Sequence, residues 1–145
     1  MKLPPDIPVF GDTSYRGDCP KEAIEQITFF GELRRLYPDT LGLLALHPKN
    51  EEKRSGAKFN QLDRDKAMGL APGASDIQIP GCPSFVCEMK RQDHTKSKWQ
   101  DGQLDYLRAA KAEGAFACVA LGWQAAMEAV EAWQRIKEGG NHGGS

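Results

Sequence analysis

Residues 69–92, GLAPGASDIQIPGCPSFVCEMKRQ, contain two short stretches of alternating apolar and polar side chains. The stretches SDIQI and SFVCEMK are typical of β-strands, and the turn PGCP between them predicts a hairpin. Side chains two residues apart in a strand point to the same face. Glu88 and Lys90 therefore share one face of the second strand, whereas Phe85 and Met89 point to the opposite face.

The hairpin also predicts that a third charged residue, Asp76, lies close to Glu88. Two neighbouring carboxylates repel each other unless a cation lies between them, and oxygen ligands with open water positions suit Mg²⁺ or Mn²⁺. Lys90 would offset the charge of an incoming phosphate, and it would orient or help deprotonate an attacking water. This combination suits hydrolysis of a phosphodiester bond.

A second interpretation of the same three residues is purely structural. A Glu-x-Lys pair is also typical of the solvent face of an edge strand, and an Asp that follows a glycine turn is common turn chemistry. Asp76, Glu88 and Lys90 taken alone leave both interpretations open.

The composition predicts one soluble domain. The chain has 145 residues and a formal net charge of −1, which argues against a polybasic protein. If nucleic acid is the partner, its positive contacts must be concentrated on one face. The sequence has no apolar run of the roughly 18 residues that a membrane helix needs and no signal-peptide pattern, so we expect a cytoplasmic protein.

The four cysteines predict neither a zinc site nor a disulfide framework. They form no Cys-x-x-Cys pair, and Cys87 and Cys118 lie in apolar runs. We therefore expect free, buried thiols.

The order of elements predicts an α/β fold. CPKEAIEQITFFGELRRLYPD reads as a helix with Pro20 at its first position and Pro38 as its stop, TLGLLALHP as a buried strand, and residues 49–69 as a helix or a long charged loop. After the hairpin come a helix in SKWQDGQLDYLRAAKAEG, a central strand in AFACVALG and an amphipathic helix in WQAAMEAVEAWQRIKEGG. The predicted architecture is a mixed central sheet flanked by helices.

The predicted organisation has three parts. Residues 1–18 form an irregular arm, residues 19–138 a single domain, and residues 139–145 a flexible tail.

Several motifs in this order resemble the VRR-NUC domain, a branch of the PD-(D/E)XK nuclease superfamily. They are EAIEQITFFGELRRLYPD, GLAPGASDIQI, FVCEMKR after an interval of eleven residues between Asp76 and Glu88, and QLDYLRAAKAEGAFACVALGWQAAMEAVEAW. The similarity extends from Cys19 to Trp133. It implies the restriction-endonuclease-like core of that superfamily, and it implies a small stand-alone protein of the type found in phages and bacteria.

The resemblance implies a role for each matching residue. Asp76 and Glu88 would be metal ligands together with the backbone carbonyl of Met89, Lys90 would be the catalytic lysine, and Gln103 would match a helical glutamine beside the site. The cofactor would be Mg²⁺ or Mn²⁺.

The resemblance also implies an acid on the first helix. Glu22 lies four residues before Gln26 and shares its face, so we take Glu22 as an additional metal-site or water-positioning acid, with Glu25 as the alternative. An acid that stabilises the helix start explains either residue without catalysis. The sequence departs from the superfamily pattern at Ser75, which stands where a proline is typical.

Six polar residues near these motifs are candidate DNA contacts: Lys49, Asn50, Arg54, Arg91, Lys96 and Lys98. By resemblance we expect a structure-selective DNA endonuclease, a Holliday-junction resolvase that acts on four-way junctions as a homodimer. Its dimer surface would include Phe29 and Phe30 of the first helix or Trp133 of the last. The alternatives are a nuclease selective for flaps or single strands, an inactive nucleic-acid-binding module of the same fold, and a structural or interaction protein.

Overall fold

A four-stranded mixed sheet forms the centre of this protein, in a computed structural model that describes residues 1–48, 64 and 66–143. The strands are β1 (Val9–Phe10), β2 (Ile77–Ile79), β3 (Phe85–Lys90) and β4 (Phe116–Leu121). The helices are α1 (Glu22–Leu36), α2 (Leu41–Leu44), α3 (Gln103–Ala112) and α4 (Trp123–Gly143), with a 3₁₀ helix at His94–Lys96.

The strand order is β1-β4-β3-β2, and only β2 runs antiparallel to its neighbour. The hairpin predicted between β2 and β3 is present, with Ile77 opposite Cys87. From β3 the chain crosses through α3 to the parallel strand β4, because parallel neighbours need such a crossover. The two longest strands, β3 and β4, occupy the middle of the sheet.

The two faces of β3 pack against different helices. Phe85, Cys87 and Met89 join the apolar side chains of α1 and α4 in the larger core, whereas Val86 packs with Leu107 of α3. The predicted division of β3 into two faces is confirmed. So is the predicted fold class, an α/β architecture with a mixed sheet flanked by helices.

The strand predicted in TLGLLALHP is wrong. Leu41–Leu44 forms the short helix α2, and only Leu46 pairs with the sheet, through an isolated antiparallel bridge to Gln78. A short apolar run does not distinguish a strand from a buried helix. Gly42 lets this short helix pack closely against the end of α1, because a Cβ atom there would lie 2.6 Å from the Tyr37 carbonyl oxygen.

The N-terminal arm is mostly irregular but contributes to the sheet. Val9 and Phe10 pair with the outer edge of β4, and the Val119 amide donates to the Pro8 carbonyl over 2.9 Å. Ile7 is buried in the smaller core. The arm therefore covers an edge that would otherwise expose unpaired backbone groups.

The aromatic residues predicted at a dimer surface lie in the core instead. Phe29, Phe30 and Trp133 all belong to the larger apolar cluster, where the indole of Trp133 donates to the Pro83 carbonyl. The last helix continues to Gly143 and so includes the first part of the segment predicted as a tail. Within the described ranges, no helix combines the length and apolar character needed to cross a membrane.

Asp93 links the arm to the 3₁₀ helix. Its carboxylate accepts hydrogen bonds from the Gly17 amide over 3.0 Å and from the Thr95 amide over 3.1 Å. The Thr95 hydroxyl and the Gly17 amide bind the charged form, and they lower the pKa of Asp93 to about 2.

We therefore expect Asp93→Ala to lower the melting temperature by several degrees at neutral pH. A depressed pKa gives stability that is present above the unfolded-state value near 3.8 and is lost as the pH falls towards about 2. The difference in melting temperature between the variant and wild type should therefore become smaller as the pH falls from about 3.8 to about 2. Thermal unfolding as a function of pH measures it, and a difference that is the same at pH 7 and at the acid end would contradict this account.

Candidate active site

The hairpin brings Asp76 beside Glu88 at the end of β3. Ile77 pairs with Cys87, so the next register position sets Asp76 against Glu88. The Asp76 Oδ2 atom accepts a hydrogen bond of 2.9 Å from the Met89 amide. Because the N–H and C=O groups of one strand residue point to the same side, the Met89 carbonyl also faces Asp76.

Glu88 is a buried acid with an unsatisfied oxygen. The residue is 1% exposed, and its Oε2 atom has no hydrogen-bond partner among the described residues. Burial raises the pKa of the Glu88 carboxyl well above its usual range, and the charge of Asp76 raises it further, whereas Lys90 acts in the opposite direction. A bound cation or a hydrogen-bond donor would satisfy a buried carboxylate oxygen of this kind.

Lys90 is also buried, and its ammonium group is held from several sides. Its Nζ atom donates to the Lys98 carbonyl over 2.7 Å and to Gln103 Oε1 over 2.9 Å. It lies 3.8 Å from Glu88 Oε1 and 4.9 Å from the centre of the Trp99 ring. Two acceptors, an anion and an aromatic face all favour a positive charge at this position.

Gln103 is the first residue of α3, and its side chain turns back towards β3. Its Oε1 atom accepts from both Lys90 Nζ and the Gln100 amide, each over 2.9 Å. Because both partners are donors, this atom must be the amide oxygen. The sequence predicted Gln103 beside the site, and the structure brings it against Lys90, although Trp99 precedes the helix rather than lying on it.

The two acids of α1 point to different places. Glu22 accepts a hydrogen bond of 2.7 Å from the Ser97 hydroxyl, and its charge is one of the causes that raise the pKa of Glu88. Glu25 is 1% exposed and accepts 2.6 Å from the Trp123 amide at the start of α4. Glu25 therefore satisfies a free helix N–H group, and only Glu22 faces the candidate site.

The three acids near the site do not form a complete metal cluster. In the part of the chain that the structure describes, no three His, Cys, Asp or Glu residues converge tightly enough to hold an ion. The close group is the pair Asp76 and Glu88, and Glu22 lies outside it, bound to Ser97.

The candidate DNA contacts fall into two groups. Lys49, Asn50 and Arg54 lie outside the described residues. Arg91 donates to the main-chain carbonyls of Cys19 and Pro20, between the arm and α1, Lys96 donates to the Gly17 carbonyl of the arm, and Lys98 is exposed.

Sequence reasoning missed the contribution of residues 97–98. The Ser97 hydroxyl links Glu22 to the Arg91 amide, and the Lys98 carbonyl accepts from Lys90. No sequence pattern predicts that the backbone carbonyl of Lys98 binds Lys90. This contact depends on the tertiary structure, because residues 97–98 turn back over the end of β3.

The loop before Asp76 packs directly on the start of α3. Gly73 has a φ of +81°, and a Cβ atom there would lie 2.4 Å from the Gly102 carbonyl carbon. Ser75, the residue that departs from the superfamily pattern, is fully buried. The same packing thus sets the positions of Asp76 and of Gln103.

We expect Gly73→Ala to destabilise the protein more than Gly114→Ala. Gly114 also has a positive φ, +97°, but a Cβ atom there meets nothing within 4 Å. The control should cost about 1–2 kcal/mol of unfolding free energy for backbone strain alone, and Gly73→Ala adds a backbone collision. Chemical denaturation measures both, and equal losses would show that the loop does not need this close approach.

Comparison with solved structures supports the fold. A structure described as "VRR_NUC domain protein" superposes with a TM-score of 0.61 at 19% sequence identity, covering 81% of this chain and 88% of that chain. Comparison by sequence finds no matching family model and no matching curated protein. This chain therefore has the fold of a VRR-NUC domain.

Proposed function

We propose that this protein is a metal-dependent nuclease of the VRR-NUC family that hydrolyses phosphodiester bonds in DNA. The observation that carries the proposal is the placement of two buried opposite charges, Glu88 and Lys90, on one face of β3 with Asp76 beside them. Burying such charges is unfavourable unless they are fully partnered. One Glu88 oxygen has no hydrogen-bond partner among the described residues, so a catalytic role explains the burial of this acid better than a contribution to stability does.

The donor set fits a hard divalent cation. Asp76 and Glu88 supply carboxylate oxygens, and the Met89 carbonyl faces the same side. Mg²⁺ keeps several waters and needs only one or two protein carboxylates, so the absence of a third close acid among the described residues does not count against it. When bound, Mg²⁺ or Mn²⁺ lowers the pKa of a coordinated water and offsets charge on the phosphate.

The chain's own residues then have distinct tasks. Lys90, fixed by Lys98 and Gln103, presents a positive charge that stabilises the developing charge on the phosphate and orients the attacking water. Gln103 acts through Lys90 and is a positioning residue. Glu22 reaches the edge of the site and orients a water through the carboxylate oxygen that does not bind Ser97.

The preferred substrate in this proposal is a four-way DNA junction, cut by a homodimer in recombination or repair. Symmetric cleavage of a junction needs two active sites related by a two-fold axis. Exposed apolar side chains on α1 and α2 offer a surface for a second copy, since Ile27 is 68% and Leu43 73% exposed. A nuclease selective for flaps or single strands is the alternative, and an inactive DNA-binding module is a further one.

We expect Lys90→Met and Glu88→Gln each to reduce Mg²⁺-dependent cleavage of DNA by about 10²-fold or more. Lys90→Met removes the positive charge that acts on the phosphate, and Glu88→Gln removes a charged ligand of the metal. Glu131→Gln, at an exposed acid of α4, is the matched control and should retain activity. Mg²⁺ should raise the melting temperature of wild type more than that of Glu88→Gln. Full cleavage by Lys90→Met, or by wild type in EDTA, would disprove the proposed mechanism.

Substrate choice separates the two nuclease alternatives. A resolvase should cut four-way junctions in preference to flaps, single strands and linear duplex of the same sequence, and light scattering should give the mass of a dimer. Preferential cleavage of flaps by a monomer would instead establish the alternative. Binding without cleavage of any of these substrates would indicate the inactive module.

A further inference from the structure

A cleft of about 440 Å³ opens beside the candidate active site, between the start of α1 and the segment that follows the 3₁₀ helix. Four cationic side chains line it, and Glu22 is the acid among its lining residues. The cations are Lys21, Arg91, Lys96 and Lys98. The net charge of the chain is −1, so this cleft is a local concentration of positive charge.

The cleft shares its wall with the candidate site. Ser97 donates to Glu22 over 2.7 Å, and the Lys98 carbonyl accepts from Lys90 over 2.7 Å. The backbone of Lys98 is therefore in direct contact with the ammonium group that would act on the reacting phosphate. The Lys98 side chain lines the adjoining cleft.

Two of the four cations already have partners. The Arg91 guanidinium donates to the Cys19 carbonyl over 2.7 Å and to the Pro20 carbonyl over 3.1 Å. Lys96 Nζ donates to the Gly17 carbonyl over 2.8 Å. These two side chains shape the cleft by holding residues 17–20 against it.

The other two cations, Lys21 and Lys98, remain available. Both side chains are exposed, and neither ammonium has a hydrogen-bond or ion-pair partner among the residues that the structure describes. One carboxylate oxygen of Glu22 already accepts a hydrogen bond from Ser97, so Glu22 competes less with a phosphate for the ammonium groups of Lys21 and Lys98.

We propose that Lys21 and Lys98 form a subsite for the phosphodiester backbone of the nucleic-acid strand, next to the phosphate that is hydrolysed. This inference rests on the proposed nuclease function. Contacts from lysine to phosphate oxygens position a strand without reading its sequence. The subsite therefore contributes affinity and register, and it leaves the choice of base to other parts of the molecule.

The test is the salt dependence of DNA binding. Fluorescence anisotropy with a labelled single strand and a labelled four-way junction, in Ca²⁺ without Mg²⁺ or Mn²⁺, gives the dissociation constant over a series of NaCl concentrations. The double variant Lys21→Ala with Lys98→Ala should bind at least about 10-fold more weakly, and its salt slope should fall by about one for each ammonium group removed. The double variant Lys21→Arg with Lys98→Arg keeps both charges and should retain the wild-type slope.

Arg135→Ala is the control for general loss of charge. Arg135 is exposed on α4 near Trp133, whose indole binds Pro83 before β3, so it lies at the opposite end of that strand from Lys90. It should bind DNA like wild type. A loss in Arg135→Ala equal to that of the double alanine variant would overturn the subsite.

The outcomes also separate this inference from the proposed function. If the double alanine variant binds with unchanged affinity and slope while wild type cleaves DNA in Mg²⁺, the subsite is wrong and the nuclease proposal stands. If wild type neither cleaves nor binds either probe, both proposals fail.

Discussion

The burial of Glu88 and Lys90 on one face of the central strand β3 is the constraint on which the rest of the site depends. A strand in the middle of a sheet normally carries apolar side chains on both faces. Here the face towards α1 and α4 does so, whereas the other carries two opposite charges that are each 1% exposed. The larger core can therefore stabilise the sheet while the opposite face is free to carry polar groups.

Each of these side chains meets a different neighbouring segment. Asp76 reaches Glu88 through the hairpin that precedes β3, whereas Lys98 and Gln103 reach Lys90 through the crossover that follows it. Gly73 joins the two segments, because its close approach to Gly102 fixes the preceding loop against the start of α3. The geometry of the site thus depends on backbone packing as much as on the charged side chains.

The features that follow local periodicity were predictable from the sequence, and those that depend on tertiary packing were not. Alternation along SFVCEMK predicts which side chains share a face, and the hairpin predicts the approach of Asp76 to Glu88. The four-residue run Leu41–Leu44 is too short for its period to distinguish helix from strand, and it was assigned wrongly. The different roles of Glu22 and Glu25 depend on where the start of α4 lies, and no spacing along α1 contains that information.

Residues 17–20, where the arm meets α1, are held in a way that bears on how their sequence can vary among relatives. Arg91 and Lys96 bind the carbonyl groups of Cys19, Pro20 and Gly17, and these contacts recognise the main chain. The side chains of Cys19 and Pro20 can therefore change without loss of these contacts, whereas Gly17 has a φ of +134° that other residues rarely adopt. Among relatives we expect the residues around this glycine to vary rapidly, while Arg91, Asp93 and Lys96 change together or not at all. Arg91, Asp93 and Lys96 would then indicate common descent better than the residues that they bind.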